Sequence, residues 1–296
     1  MKYRRNLLLS LSLLGLAVFW IVRSSDVHAA TEAALRLCAC SLLPSLFPFF
    51  VLTSLLISLG FPAFLSRLLR RPMERLYRVS GSGSGAVLLG FLGGYPSGAR
   101  TAAELYAAGE LSKDEAERLL AFCSNASPAF FVSFVGNEVF HAPRLGVWLW
   151  LIHVFSALIV GLLFRGKAGA KRRVLPRRKE ESLSVSLIRA VASGLSAYLT
   201  VCSFVLLFSV LSFPIAAHPL LLGFFELSGG IAALPPTRLG FAAAGFFCGF
   251  GGLAVLLQSL AFILPAGLSP KDHIAGKLLQ GLLAGLLSFF AAPLLF

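Results

Sequence analysis

Long runs without charged residues dominate the pattern of hydrophobic and polar positions along the chain. Each run is near or above the roughly 17 to 25 residues that an apolar helix needs to cross a bilayer. The runs are 6–22, 37–66, 119–137, 145–164, 190–225, 239–270 and 278–296. They lack the short alternating pattern of outer-membrane barrel strands. Because a helix satisfies its own backbone hydrogen bonds in lipid, the pattern predicts an all-α integral membrane protein, a polytopic helical bundle.

The composition agrees with lipid as the solvent for much of the chain. Hydrophobic residues make up 57% of the sequence and charged residues 13%, with a mean hydropathy of +0.84. One water-soluble core could not bury so much apolar surface, which excludes a soluble enzyme. No catalytic triad spacing, Walker A motif or dinucleotide-binding motif appears, and the five cysteines lack zinc or redox spacing. The sequence therefore predicts no enzyme, no cofactor and no metal site.

The net charge of +13 is concentrated in three places. These are the N-terminus, an arginine stretch within 67–78 and a basic stretch within 165–179. Short basic segments at the ends of apolar runs are the positive-inside signature and place these segments in the cytoplasm. The partner they indicate is the lipid bilayer rather than nucleic acid. The arginine stretch, spaced near one helical turn, predicts an amphipathic helix on the inner membrane surface.

The chain divides into four predicted segments. Residues 1–40 hold an N-terminal signal-anchor helix and an amphipathic segment, with a cleaved signal peptide as the alternative. Residues 41–165 form a first repeat, 166–181 a basic cytoplasmic linker, and 182–296 a second repeat.

Four short motifs recur in the same order in the two halves. The pairs are 49–52 with 204–207, 79–81 with 227–229, 90–98 with 245–252, and 111–114 with 268–272. Counting membrane crossings between the halves gives an odd number, so the two repeats would be inverted, as in many secondary transporters. Glycine and proline inside the apolar runs predict that each repeat contains a re-entrant broken-helix hairpin.

The sequence GGYPSGAR is the first predicted break and the main candidate for substrate binding. Its candidate residues are Gly93, Gly94, Tyr95, Pro96, Ser97, Gly98 and Arg100. Pro96 would end the incoming helix and Ser97 would cap the outgoing one, whose free N–H groups favour an anion. Arg100 in the first turn would add positive charge for a carboxylate or phosphate. The alternative is that Arg100 pairs with Glu104 within the helix.

Polar residues beside other predicted breaks complete the candidate site. Asn125 and Ser127 precede Pro128, where a plain interfacial kink is equally compatible with the sequence. Gln258 would contact substrate or hold two helices together. His153 is interpreted as a satisfied buried side chain rather than as a proton relay.

The second hairpin contributes the remaining candidates. Glu226 would bind a proton or cation, pair with Arg100, or lie at the interface. The other candidates in this hairpin are Ser228, Gly229 and Gly251.

The order of these motifs, from GFLGGYPSGAR through LSKDEAERLLAFCSNASPAFF and ELSGGI to CGFGGLAVLLQSL and LSPKD, resembles the YlbJ (SpoVV) family of sporulation integral membrane proteins. The resemblance covers about 44–280. It implies that the two repeats are Gate-type, or nucleoside-recognition, repeats, distantly similar to concentrative nucleoside transporters whose two hairpins meet at the substrate. The implied role is passage of dipicolinic acid across the outer forespore membrane from the mother cell.

The expected function is therefore membrane transport of a small organic anion, dipicolinic acid, during sporulation. A nucleoside-type transporter is an alternative. It is the weaker inference, because the polar residues that bind nucleoside and sodium in the distant transporters do not map convincingly onto this chain. A non-transporting membrane scaffold in spore maturation is the other alternative. A homo-oligomer is compatible with the sequence.

Overall fold

The computed structural model describes residues 2–166, 182–215 and 217–296. Except for residue 166, the predicted basic linker lies outside the described residues. Every regular element in the described residues is helical. In chain order the elements are α1 (Lys2–Val22), α2 (Ser24–Arg36), a π-helical stretch (Leu37–Leu42), α3 (Leu43–Ser58), α4 (Phe61–Pro72), a π-helical stretch (Met73–Tyr77), α5 (Gly83–Gly93), α6 (Ser97–Ala107), α7 (Lys113–Leu120), a π-helical stretch (Phe130–Val139), α8 (Pro143–Leu163), α9 (Leu183–Ser212), a 3₁₀ turn (Phe213–Ile215), α10 (Pro219–Phe225), α11 (Leu227–Ala232), α12 (Arg238–Phe250), α13 (Gly252–Ile263) and α14 (Lys271–Leu295).

Five helical segments among the described residues are long and apolar enough to cross a membrane. They are Ser24–Ser58, Pro143–Leu163, Leu183–Ile215, Arg238–Ile263 and Lys271–Leu295. Large apolar side chains remain exposed along them, as expected of surfaces that face lipid. The all-helical membrane architecture predicted from the sequence is confirmed.

The helices differ in extent from the predicted apolar runs, and two of these differences have a local cause. The run predicted to begin at residue 37 belongs to a longer helix, because α2 passes through the π-helical stretch Leu37–Leu42 into α3 without a loop. The alanine-rich sequence of α2 favours a helix although its polar residues interrupt the apolar pattern. The run 190–225 is shorter as a helix, since α9 ends at Ser212 and α10 starts at Pro219.

The arginine stretch forms the predicted amphipathic helix. Leu65 and Met73 on one side of α4 and the following turn are buried, whereas Arg67, Arg70 and Arg71 are exposed. Exposed apolar residues, among them Leu68, accompany these arginines. A helix that exposes both cations and apolar side chains suits the boundary between lipid and water.

Two pairs of helices are broken at a glycine with positive φ. Gly94, at φ 73°, separates α5 from α6, and Gly251, at φ 90°, separates α12 from α13. Residues other than glycine rarely adopt this conformation, so each glycine allows the break where it lies. Both breaks fall where the sequence predicts them. The prolines at 235 and 236 lie in a plain loop before Thr237, which caps α12.

The loops after the broken helices also contact each other. Ser112 and Glu115 form the predicted capping box at the start of α7, with Glu115 Oε2 accepting from Ser112 N at 2.9 Å. In the matching loop before α14, Ser269 N donates to Glu117 Oε1 at 2.7 Å. Two different carboxylates of α7 therefore bind the two LS motifs, Glu115 the first and Glu117 the second.

The backbones of α5, α6 and the irregular segment around Cys123 meet without side chains between them. A Cβ built on Gly90 would lie 1.6 Å from Cys123 O, and one built on Gly98 would lie 1.8 Å from the same oxygen. Only glycine permits these contacts, which fix α5 and α6 against the irregular segment 121–128. Helices in lipid commonly approach closely through such small residues.

We expect Gly98→Ala to destabilise the protein, because the added methyl group would overlap Cys123 O. Overpacking of this kind typically costs about 1–3 kcal/mol. Thermal unfolding in detergent should show a lower midpoint than for the wild type. Gly15→Ala is the matched control, since a Cβ at Gly15 meets nothing within 4 Å. Equal midpoints for the two variants would contradict this packing.

Candidate functional site

A small cavity lies where the helix breaks come together. Its volume is about 40 Å³, room for only a few water molecules. Its walls combine polar groups from three irregular segments with apolar side chains from α3, α9 and α13. The lining residues are Leu46, Phe50, Gly94, Tyr95, Ala126, Ser127, Phe130, Val201, Val205, Glu226, Leu227, Ser228, Val255 and Gln258. An apolar pocket with a few convergent polar groups is the usual form of a small-molecule site.

The first break touches both other irregular segments. A Cβ at Gly94 would lie 3.2 Å from Ser127 Cβ, which places the first break against 121–128. Tyr95 Oη donates to Cys248 O at 2.9 Å, just before the second glycine break. The Tyr95 ring also lies against Gly251, whose added Cβ would be 3.7 Å from Tyr95 Cζ. The two glycine breaks, far apart in the sequence, are therefore in contact through Tyr95, which is part of the cavity wall.

Glu226 and Gln258 are the principal buried polar side chains of the cavity. Glu226 is 2% exposed and caps α11, where its carboxylate accepts from Ser228 N at 2.8 Å and from Gly229 N. Gln258 is also 2% exposed, and its Oε1 has no hydrogen-bond partner among the described residues. An unpartnered buried amide oxygen on a cavity wall is available to a ligand or water.

A second polar cluster, formed by Lys277, Gln280 and Asn125, lies directly behind Tyr95. Lys277 Nζ donates to Ser124 O at 2.8 Å and to Gln280 Oε1 at 2.7 Å. Gln280 Nε2 donates to Asn125 Oδ1 at 2.9 Å, and Asn125 Nδ2 donates to Phe122 O at 2.7 Å. These bonds tie α14 to the irregular segment 121–128.

Histidines complete the support of the irregular segment 121–128. His153 on α8 is buried, as predicted, and its Nε2 accepts from Ala126 N at 3.3 Å. His273 Nδ1 lies 3.0 Å from Leu120 O. Ala126 N and Leu120 O have no partner within a helix, so these histidines supply the hydrogen bonds that buried peptide groups need.

Lys277 is the main residue that the sequence analysis missed. The charge-free run was counted from residue 278, so the helix was placed after the lysine. The signal that could have found it is the spacing of His273, Lys277 and Gln280, which puts three polar side chains on one face of a helix.

The predicted site residues divide into two groups. Gly94, Tyr95, Ser127, Glu226, Ser228 and Gln258 line the cavity. The other candidates do not: Gly93, Pro96, Ser97, Gly98, Arg100, Asn125, Gly229 and Gly251. Of these, Asn125 and Gly229 act on lining segments through the hydrogen bonds given above. Gly98 and Gly251 shape the packing around them.

Three predicted interactions of the first break take a different form. Arg100 Nε donates to Glu104 Oε1 at 2.8 Å, with the arginine side chain 49% exposed, which is the alternative that the sequence allowed. Glu226 does not pair with Arg100, because its carboxylate is bound to the start of α11. Ser97 does not cap α6; its Oγ contacts Gly93 O at 3.5 Å.

Comparison with known proteins places this geometry in a family context. Residues 39–142 match the Gate family, described as nucleoside recognition, and include the first break and the segment 121–128. The chain is also 28% identical over 291 residues to the sporulation integral membrane protein YlbJ of Bacillus subtilis (strain 168), a match that covers 81% of this chain and 71% of the relative. The resemblance to the YlbJ family is therefore confirmed.

The YlbJ match extends the similarity beyond the Gate region. Together with the five apolar helices, it supports a multi-pass membrane protein that is similar to YlbJ and, over 39–142, to the Gate family. No solved structure gives a significant match to the chain. The arrangement of the helices thus rests on the structure described above.

We expect Asn125→Ala to destabilise the protein, because it leaves Phe122 O without its buried donor and removes one acceptor of Gln280 Nε2. An unsatisfied buried polar group typically costs about 1–3 kcal/mol. Unfolding by sodium dodecyl sulfate in mixed micelles should show an earlier midpoint. Asn137→Ala, at an exposed position, is the matched control and should unfold like the wild type. Equal unfolding midpoints for the two variants would show that the hydrogen-bond network does not stabilise the protein.

Proposed function

We propose that this protein is a secondary transporter of a small organic anion, with dipicolinate as its substrate, in the outer forespore membrane. The observation that carries the proposal is the cavity lined by the first glycine break, by Glu226 at the start of α11 and by Gln258 on α13. The similarity to a sporulation membrane protein and to the Gate family supports the setting. Substrate sites at the meeting point of discontinuous helices are characteristic of secondary transporters.

The two broken helix pairs, α5 with α6 and α12 with α13, are in this proposal the re-entrant hairpins of two inverted repeats. The spacing from Gly94 to Gly251 equals that from Ser112 to Ser269, so break and following loop recur in register. Irregular backbone within a membrane needs protein or water around it, and these breaks are covered by each other and by α14. Alternating access would then be a rocking of one repeat against the other around the cavity.

The cavity has to widen before it can hold dipicolinate, because about 40 Å³ accommodates only a few waters. In this proposal the structure is an occluded state. Polar contacts to the bound anion come from Gln258 Oε1 through water, and from the hydroxyl groups of Ser127 and Ser228. The apolar walls Phe50, Val201 and Val205 enclose the pyridine ring.

Glu226 has the position of a coupling residue in this scheme. Its carboxylate lies in the same cavity that would receive a carboxylate substrate, and two like charges in a low-dielectric site repel each other strongly. Protonation of Glu226 removes that repulsion, so a proton and the anion would bind together. The bonds from Ser228 N and Gly229 N keep the carboxylate in place in the unloaded state.

The first test is uptake of radiolabelled dipicolinate by proteoliposomes containing the purified protein. We expect Val201→Trp, which fills the cavity, to reduce uptake. If the added bulk opposes substrate binding by the about 1–3 kcal/mol that overpacking typically costs, uptake falls roughly 5- to 150-fold. Val191→Trp, on the exposed side of the same helix α9, should retain uptake within about twofold, a change below 0.5 kcal/mol.

The controls in this assay separate the alternative functions. Uptake of uridine instead of dipicolinate would indicate a nucleoside-type transporter. A wild type that moves neither compound, together with cavity variants that sporulate normally, would favour the non-transporting scaffold. Equal uptake by Val201→Trp and Val191→Trp would show that transport does not pass through this cavity.

We expect Glu226→Gln to abolish the response of dipicolinate uptake to an imposed pH gradient, because the amide cannot release a proton. The wild type should respond to the gradient at the same substrate concentration. Glu104→Gln, at an exposed position of α6, is the control and should respond like the wild type. If Glu226→Gln follows the gradient as the wild type does, another group carries the coupling proton.

A further inference from the structure

Lys277 is a buried lysine with no carboxylate beside it in the part of the chain that the structure describes. Its side chain is 0% exposed, and its nitrogen bonds only to a backbone carbonyl and to an amide oxygen. Within 2–166, 182–215 and 217–296, it forms no ion pair with a carboxylate. Removing an ammonium group from water is costly, and neutral acceptors offset only part of that cost.

Ionisable side chains in the interior of membrane proteins are rare and usually mark the path of a substrate or ion. The other basic residue near the breaks, Arg100, does not have this character. Its side chain is half exposed and already paired with Glu104. Of the two, Lys277 alone is both buried and without a counter-charge.

One aromatic ring separates Lys277 from the cavity. Lys277 Nζ lies 4.9 Å from the centre of the Tyr95 ring, and Tyr95 is part of the cavity wall. The carbonyl that accepts from Lys277, Ser124 O, belongs to the same irregular segment as Ala126 and Ser127, which also line the cavity. The ammonium group therefore lies directly behind the wall that a widening cavity would move.

We propose that Lys277, rather than Arg100, supplies the positive charge that binds a carboxylate of the transported anion, and that Tyr95 moves aside to admit it. This inference rests on the transport function proposed above. In the occluded state the Tyr95 ring covers the ammonium group through a cation–π contact. In the loaded state a carboxylate replaces the ring and makes a charge-assisted hydrogen bond, which is about twice as strong as a neutral one.

The site should consequently select for charge. A carboxylate gains the full Coulomb attraction to Lys277 in surroundings of low dielectric constant, whereas a neutral amide of the same shape does not. Pyridine-2,6-dicarboxamide is such a neutral isostere of dipicolinate. Discrimination between these two compounds is the property that Lys277 should control.

The experiment compares Lys277→Met with Lys271→Met, an exposed lysine at the start of the same helix, in proteoliposomes. We expect Lys277→Met to lower dipicolinate uptake by about tenfold or more, equivalent to 1.4 kcal/mol. Lys271→Met should stay within about twofold of the wild type, and Lys277→Arg should retain part of the uptake because the charge remains. Arg100→Met tests the competing assignment directly.

Competition by the neutral isostere gives a second readout. In the wild type, pyridine-2,6-dicarboxamide should compete poorly with labelled dipicolinate. In Lys277→Met, the dicarboxamide and unlabelled dipicolinate should compete with the label equally well. Tyr95→Leu keeps the inference testable if Lys277→Met does not fold. It uncovers the ammonium group, so dipicolinate should bind more tightly in a thermal-shift titration while the dicarboxamide does not.

The outcomes separate this inference from the proposed function. A folded Lys277→Met that transports and discriminates as the wild type does would overturn the role of Lys277 and leave transport intact. Loss of uptake in Arg100→Met with normal uptake in Lys277→Met would show that Arg100, and not Lys277, binds the anion. Equal effects of Tyr95→Leu on both compounds would also overturn the inference. Only a wild type that moves no dipicolinate contradicts the proposed function itself.

Discussion

The irregular segment 121–128 is the constraint on which the rest of the structure depends. Residues 121–127 are buried, so those peptide groups of the segment that no helix satisfies need partners from the protein. Side chains of α8 and α14 and the side chain of Asn125 provide these partners for Leu120 O, Phe122 O, Ser124 O and Ala126 N. The polar face of α14 therefore exists because the segment opposite it is unwound.

The same constraint explains the glycines and the position of the cavity. Cys123 O lies against Gly90 and Gly98, so α5 and α6 must approach the unwound segment at backbone distance. That approach brings Tyr95 over Lys277 and against Gly251. The cavity is what remains where three irregular segments cannot pack as closely as regular helices do. Its polar lining comes from the irregular segments, from Glu226 and Ser228 at the start of α11, and from Gln258 on α13.

Local sequence features predicted the parts of this arrangement that depend on local chemistry. Glycine and proline marked the breaks at 94 and 251 and the segment before Pro128, and Ser112 with Glu115 marked the start of α7, as observed. The interactions that depend on tertiary packing were beyond local patterns. Arg100 has a partner one turn away, and the buried position of Lys277 requires knowledge of the unwound segment that faces it.

The distribution of contacts in the cavity wall also indicates which element can move. Glu226 is held by two backbone N–H groups, and the backbone of 120–126 by four side-chain contacts. The Tyr95 side chain is held by one hydrogen bond, to Cys248 O, and by the contact of its ring with Lys277. Both of these contacts can be replaced by an anion and water without exposing an unsatisfied charge. In the proposed mechanism, a side chain with few polar contacts thus covers the charge that binds the ligand, and a ligand shifts a conformational equilibrium only through a difference in binding free energy.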